Sequence, residues 1–169
     1  MKRLRLSSKD LALTAIFAAL YATLVLTLAG ISFQLVQVRV ADVLIPLSIF
    51  FGWPTIIGVA LGGAVANVAS PMPNVIVDLS FGSIANFIAS LLAWKISRLK
   101  LISEVLREFL GCVASTIVIT LIVGTYLAIL TDMELWVWWL GIGGGSAISI
   151  NILGFALIQV LKRILAKPH

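Results

Sequence analysis

The side chains of this chain that can recognise a solute are few. They are Arg39, Asp42 and Asp78, the amides of Gln37, Asn67, Asn86 and Asn151, and the rings of Phe81 and Trp138. A carboxylate accepts from two N–H groups at once, a guanidinium donates in the same forked way, an amide does either, and a ring stacks. Such a set binds, but it does not break bonds. The one cysteine, Cys112, lies in an apolar run and reads as a small buried hydrophobe, and the one histidine, His169, stands at the end of the chain. No Cys/His metal site can be assembled from these, no disulfide can close within the chain, and no G-x-x-x-x-G-K-[ST] phosphate loop occurs. The run Gly141-Ile142-Gly143-Gly144-Gly145-Ser146 half-imitates a dinucleotide fingerprint. It lacks a preceding strand, so close packing or a local helix break is the better reading. Glu104 and Glu108 are the remaining acid pair, and their i,i+4 spacing beside Arg107 reads as a solvated helix start. These observations leave no convincing catalytic constellation, and the expectation is a protein that is not an enzyme and holds no metal and no cofactor.

The elements that must position these groups are membrane helices. Of the 169 residues 61% are apolar and 11% charged, where a soluble domain carries about a quarter charged. No charge interrupts the stretches between Asp10 and Arg39, Asp42 and Asp78, Asp78 and Lys95, Glu108 and Asp132, or Glu134 and Lys162. A bilayer core of about 30 Å needs about 20 such residues in helix. The stretch after Asp42 is too long for one span and holds Gly52-Trp53-Pro54 near its middle, where proline starts a new helix well. The expectation is an all-α membrane protein, a single domain over residues 1–169. Its six helices are placed at 10–30, 39–52, 54–70, 75–97, 104–130 and 137–164, the second kinked or tilted by Pro46. The apolar runs do not alternate with period two, which argues against a barrel.

Lysine and arginine set the orientation. They gather at Lys2, Arg3, Arg5 and Lys9, at Lys95, Arg98, Lys100 and Arg107, and at Lys162, Arg163 and Lys167. Six spans put all three clusters, and both termini, on the cytoplasmic side of a cell membrane. The net charge of +5 therefore belongs to the membrane surface, and no wetted basic face for nucleic acid is left. The acids Asp42, Asp78, Asp132 and Glu134 fall on the outer side with Arg39 alone for a base.

Polar groups within a membrane usually face the interior and mark a site. From Val36 to Val40, valines alternate with Gln37 and Arg39, as in an extended segment laid over the bundle. Arg39 and Asp42 suit either a capping salt bridge or a ligand clamp. Asn67, Ser70 and Asn74, with Pro71 and Pro73, read as a helix end and outer turn, and Asp78 lies in the first turn of the next helix, as a cap or as a ligand. Asn86 follows about two turns deeper, and Asn151 sits mid-way along the last helix. Each bonds another helix or a solute. Trp136, Trp138 and Trp139 suit an interfacial belt or a ring stack. In the first helix Ala15/Ala19 and Ala18/Ala22 form two small-residue ridges, as Gly58/Gly62 do in the third. They serve packing within the chain or docking to another membrane protein.

The sequence resembles the substrate-binding (S) components of energy-coupling factor (ECF) transporters, and within them the queuosine-precursor transporter family, QueT. The resemblance covers most of the chain. It is carried by Val38-Arg39-Val40-Ala41-Asp42-Val43-Leu44-Ile45-Pro46-Leu47, by Gly62-Gly63-Ala64-Val65-Ala66-Asn67-Val68-Ala69-Ser70-Pro71 and by Asp78-Leu79-Ser80-Phe81-Gly82-Ser83-Ile84-Ala85. The alanines of the first helix match the A-x-x-x-A element by which S components dock on a coupling subunit. The turn after Pro71 departs from the family, with Met72-Pro73-Asn74 where a glycine is expected, and Asp42 stands where Glu is common.

The resemblance implies a small six-helix cup that captures a vitamin-like solute at the outer face. A membrane-embedded coupling subunit and two ATPase subunits supply the energy. The implied solute is a 7-deazaguanine queuosine precursor: queuine, preQ1 or preQ0. Its guanine-like edge suits Asp78 first and Asp42 second, with Arg39, Asn67 or Asn86 donating to the ring carbonyl. An S component for another vitamin-like solute, a stand-alone secondary transporter and a small lipid-acting enzyme are the alternatives.

Overall fold

The computed structural model describes residues 7–100 and 103–165. The basic residues Lys2, Arg3, Arg5 and Lys167, and His169, lie outside the described residues. The chain is helical throughout its ordered elements, and no strand occurs among the described residues. Helix α1 is Ser8–Thr27, α2 is Val40–Phe51, α3 is Trp53–Asn67, α4 is Val75–Ile96, α5 is Glu104–Thr131 and α6 is Leu135–Ile164. Four of these, α1, α4, α5 and α6, are long and apolar enough to cross a membrane, whereas α2 and α3 are shorter.

Local chemistry sets the boundaries. Ser7 caps α1 in a reciprocal box with Asp10, and Asn74 caps α4 by accepting from the Val77 amide at 3.1 Å. Gly52 separates α2 from α3 at φ 61°, a left-handed conformation that glycine adopts without strain, and Pro54 opens α3 where its missing N–H is harmless. The break expected at Gly52-Trp53-Pro54 is thus a hairpin of two short helices. Over Val40–Leu47, α2 winds as a 3₁₀ helix with Pro46 inside it.

This 3₁₀ tract is the centre of the molecule. It packs against α1, α3, α4, α5 and α6, and Ala41, Asp42, Leu44, Ile45, Pro46 and Leu47 are buried. Around it α1 lies on α3, α3 on α4, α4 on α5 and α5 on α6. The α1–α3 contact is close because Gly58 and Gly62 leave no room for a side chain against Ala18, Phe17 and Tyr21. The two alanine ridges of α1 therefore separate: Ala18 and Ala22 turn inward, and Ala15 and Ala19 remain exposed.

Helix α6 changes pitch over Ala147–Gly154, where it winds as a π-helix, and Pro46 packs against Gly154 there. The glycine run before it does what close packing requires, although against a loop rather than a helix. Gly141 lies under the Leu35 carbonyl and Gly145 under the Gln37 carbonyl, so a methyl group at either position would displace the backbone. Residues 33–39 are thereby strapped across the bundle.

At the opposite end, Glu108 corrects the sequence reading. Its side chain is not solvated: the residue is 2% exposed and accepts from Gln159 Nε2 at 2.9 Å and from Lys162 Nζ at 3.0 Å, while Lys162 also reaches Glu104 at 3.0 Å. The apolar flanks of α5 and α6 leave little water for a carboxylate here, so it takes its partners from the neighbouring helix.

Candidate functional site

Three elements bring the polar residues together. The strap over residues 33–39 supplies Gln37 and Arg39, α2 supplies Asp42 from the centre of the bundle, and the α3–α4 pair supplies Asn67, Asp78 and Asn86. All six are buried.

The two carboxylates are held alike. Asp42 Oδ1 accepts from the Tyr21 hydroxyl of α1 at 2.5 Å, and Asp78 Oδ1 accepts from the Tyr126 hydroxyl of α5. Asp78 does not cap its helix, since Asn74 fills that role. Its backbone carbonyl accepts from Asn67 Nδ2 at 3.0 Å, which ties the end of α3 to the start of α4. Asn86 donates to the Val59 carbonyl at 3.2 Å. Glycines make the approach possible: Gly63 faces the Asn86 amide and the Tyr21 ring, and Gly82 faces the Asn67 amide and the Tyr126 hydroxyl.

Arg39 completes the cluster. It is 6% exposed and lies within electrostatic range of Tyr21, Asp42, Tyr126 and Asp78. Yet it forms no ion pair among the described residues, so the capping salt bridge with Asp42, one of the two readings left open by the sequence, is not made. Its guanidinium instead lies 5.5 Å from the centre of the Phe33 ring, and its Nε has no hydrogen-bond partner among the described residues. Asn67 Oδ1 and Asp78 Oδ2 are likewise buried without a partner. One donor and two acceptors are therefore left unbonded in one buried neighbourhood. A buried polar group without a partner costs about 1–3 kcal/mol, more when charged. Groups of this kind are kept where something else supplies the missing bonds.

Other residues singled out in the sequence lie apart from this cluster or at its edge. Asn151 accepts from Thr116 at 3.0 Å, a bond between α6 and α5. Trp138 is buried and donates to Thr131 at 2.8 Å, whereas Trp136 is exposed. Phe81 is half exposed, with its ring 5.8 Å from that of Tyr126, and both line an apolar groove of about 500 Å³ between α4 and α5 with Val77, Leu121, Ile122 and Leu130. The lining holds no charged group, and its only polar side chains are Thr125 and Tyr126.

Sequence reasoning missed Tyr21 and Tyr126. A signal was available: they are the only two tyrosines in the chain, and each interrupts an aliphatic span where a phenol must find an acceptor.

The family model for the QueT transporter matches residues 11–163, nearly the whole chain. No curated protein and no solved structure matches it. The match takes in α1 from its fourth residue, α2 to α5 whole and all but the last residue of α6, and every residue of the buried cluster.

Proposed function

The chain belongs to the QueT transporter family, and from that membership we propose what it does. It is a multi-pass membrane protein that transports a queuosine-related solute, and its family is one of transporters rather than enzymes. From that premise we propose that it is the substrate-binding subunit of an ECF-type importer. It captures a 7-deazaguanine base in the cluster formed by Arg39, Asp42, Asn67, Asp78 and Asn86. The observation that carries this reading is the set of buried, unbonded atoms: Arg39 Nε, Asn67 Oδ1 and Asp78 Oδ2. A guanine-like edge presents an N–H beside an amino group, which are two donors for Asp78 Oδ2 and Asn67 Oδ1. The ring carbonyl accepts from Arg39. Tyr126 holds the Asp78 carboxylate in place for this contact. Gln37 and Phe81 border the site, and Trp138 and Asn151 serve it by fixing the helices that frame it.

In the same reading residues 1–169 form one domain, all six helices lie across the bilayer, and both termini are cytoplasmic. Helices α2 and α3 are each roughly 22 Å long from their residue counts and helical rises, short of the bilayer core. They form a hairpin at Gly52 within the bundle, where the longer helices shield their ends. Ala15 and Ala19, exposed on α1, are the docking ridge for a membrane-embedded coupling subunit, which works with two ATPase subunits. Ala18 and Ala22 support that ridge from behind through their contact with α3.

Isothermal calorimetry of the purified chain with 7-deazaguanine bases tests the solute assignment. Saturable binding that is lost in Asp78→Asn is expected, and unchanged affinity in both Asp78→Asn and Asp42→Asn would contradict it. Co-purification with a coupling subunit, lost in Ala15→Leu/Ala19→Leu, tests the partner assignment.

A further inference from the structure

Where α4 ends and α5 begins, the bundle holds a polar cavity that the transport reading does not use, and we infer that it binds the phosphate headgroup of an anionic phospholipid. The cavity measures about 220 Å³ and lies between the last turn of α2, the end of α4 and the first turns of α5. Its walls are apolar at Ile49 and Phe50 and charged at Arg98, Glu104, Arg107 and Glu108. It lies at the end of the bundle opposite the Arg39 cluster and stands independently of the solute reading.

The charges in this lining do not satisfy one another. Glu104 and Glu108 both take Lys162 at 3.0 Å, and Glu108 also takes Gln159. Neither Arg98 nor Arg107 forms an ion pair among the described residues. Both guanidiniums are nevertheless held. Arg98 lies 5.7 Å from the centre of the Trp94 ring, and Arg107 Nη1 donates to the Leu99 carbonyl. Arg107 Nε is buried without a hydrogen-bond partner. The cavity therefore has two positioned cations, one with a buried donor still unbonded, and acids that are already taken by another base. A guanidinium offers a planar fork of donors that matches the oxygens of a phosphate.

The surroundings favour a phosphate that carries acyl chains. Val105, Leu106, Phe109 and Leu110 are exposed on the same turns of α5 as Arg107, on a helix long and apolar enough to cross a membrane. Chains attached to a phosphate in the cavity would find that apolar surface beside it. Lys95, Lys100 and Arg163 are exposed at the same end of the bundle, which draws anionic headgroups toward the arginines.

The test is native mass spectrometry of the full chain in detergent, titrated with phosphatidylglycerol and with phosphatidylcholine of the same acyl chains. Phosphatidylglycerol, the net anion, is expected to bind at least about fivefold more tightly. Equal affinities overturn the inference. Arg98→Gln and Arg107→Gln are each expected to weaken phosphatidylglycerol binding about fivefold, and Lys95→Gln, exposed and outside the cavity, less than about twofold. A loss in Lys95→Gln as large as in the arginine variants reveals diffuse surface charge and overturns the assignment, as does full binding in both arginine variants. Arg98 is exposed, so Arg98→Gln gives a reading even if Arg107→Gln does not fold. Glycerol phosphate supplies the headgroup without the chains and is expected to bind much more weakly. Binding as tight as that of the lipid would make this a site for soluble phosphate esters and overturn the lipid assignment.

Discussion

Two groups of buried charge lie near opposite ends of this bundle, and they are built on opposite principles. At one end Glu108 is joined to Gln159 and Lys162, and Lys162 to Glu104, so the buried acid has its partners. At the other, Arg39 is buried with its Nε unbonded, and Asp78 and Asn67 each keep a buried oxygen without a donor. The first group joins α5 to α6 and is complete as it stands. The second lacks these bonds, and in the proposed reading a solute makes them. Burial of a charge does not by itself distinguish a staple from a binding site; the two groups differ in that the Glu108 oxygens are bonded whereas Arg39 Nε, Asn67 Oδ1 and Asp78 Oδ2 are not, although Arg107 Nε beside Glu108 is also unbonded.

Substitutions should separate the two groups. Arg39→Ala is expected to weaken binding of a 7-deazaguanine base by more than about a hundredfold, because a buried charge-assisted contact is lost. Arg39→Lys, which keeps a cation beside Asp42 and Asp78, should leave the thermal stability of the solute-free protein within error while still weakening binding. A marked fall in melting temperature would make Arg39 structural. Glu108→Ala should do the reverse: about 2–3 kcal/mol of stability lost in a denaturation assay, with affinity unchanged within error. Gly145→Ala places a methyl group against the Gln37 carbonyl and should lift the strap that carries Arg39. An overpacking cost of about 1–2 kcal/mol and a clear drop in affinity are expected together, and a loss of stability alone would show that the strap does not position the site. The smallest effect is expected for Tyr126→Phe, which removes one donor from Asp78, worth about 1 kcal/mol or roughly fivefold in affinity. Hydrogen exchange or calorimetry showing no change would make that hydroxyl incidental.

Much of the fold was legible in the sequence because lipid leaves few options. The uncharged runs gave the helices, and Gly52-Trp53-Pro54 gave the break between α2 and α3, since the run after Asp42 is too long for one span and proline starts a new helix well. The polar residues Arg39, Asp42, Asn67, Asp78 and Asn86 stood out for the same reason. What the sequence concealed depends on packing between distant segments. Both tyrosines bond acids far away in the chain, Tyr21 to Asp42 and Tyr126 to Asp78, and no local pattern announces such pairs. Gly141 and Gly145 read as close packing or a local helix break, but that a distant strap is what lies on them had no signal in the local sequence. Glu108 looked solvated because the i,i+4 rule sees one helix, and its partners come from another. Trp138 looked interfacial because its position is a boundary, but the side chain turns inward to Thr131.

Native mass spectrometry of the chain purified from cells supplied with 7-deazaguanine bases tests the central claim most directly, because it asks whether the unbonded atoms around Arg39 and Asp78 hold a solute. The expected spectrum shows one deazapurine mass per chain, absent in Asp78→Asn and retained in Glu108→Gln. A spectrum without that mass, or one in which Asp78→Asn carries it as fully as the wild type, would contradict the account.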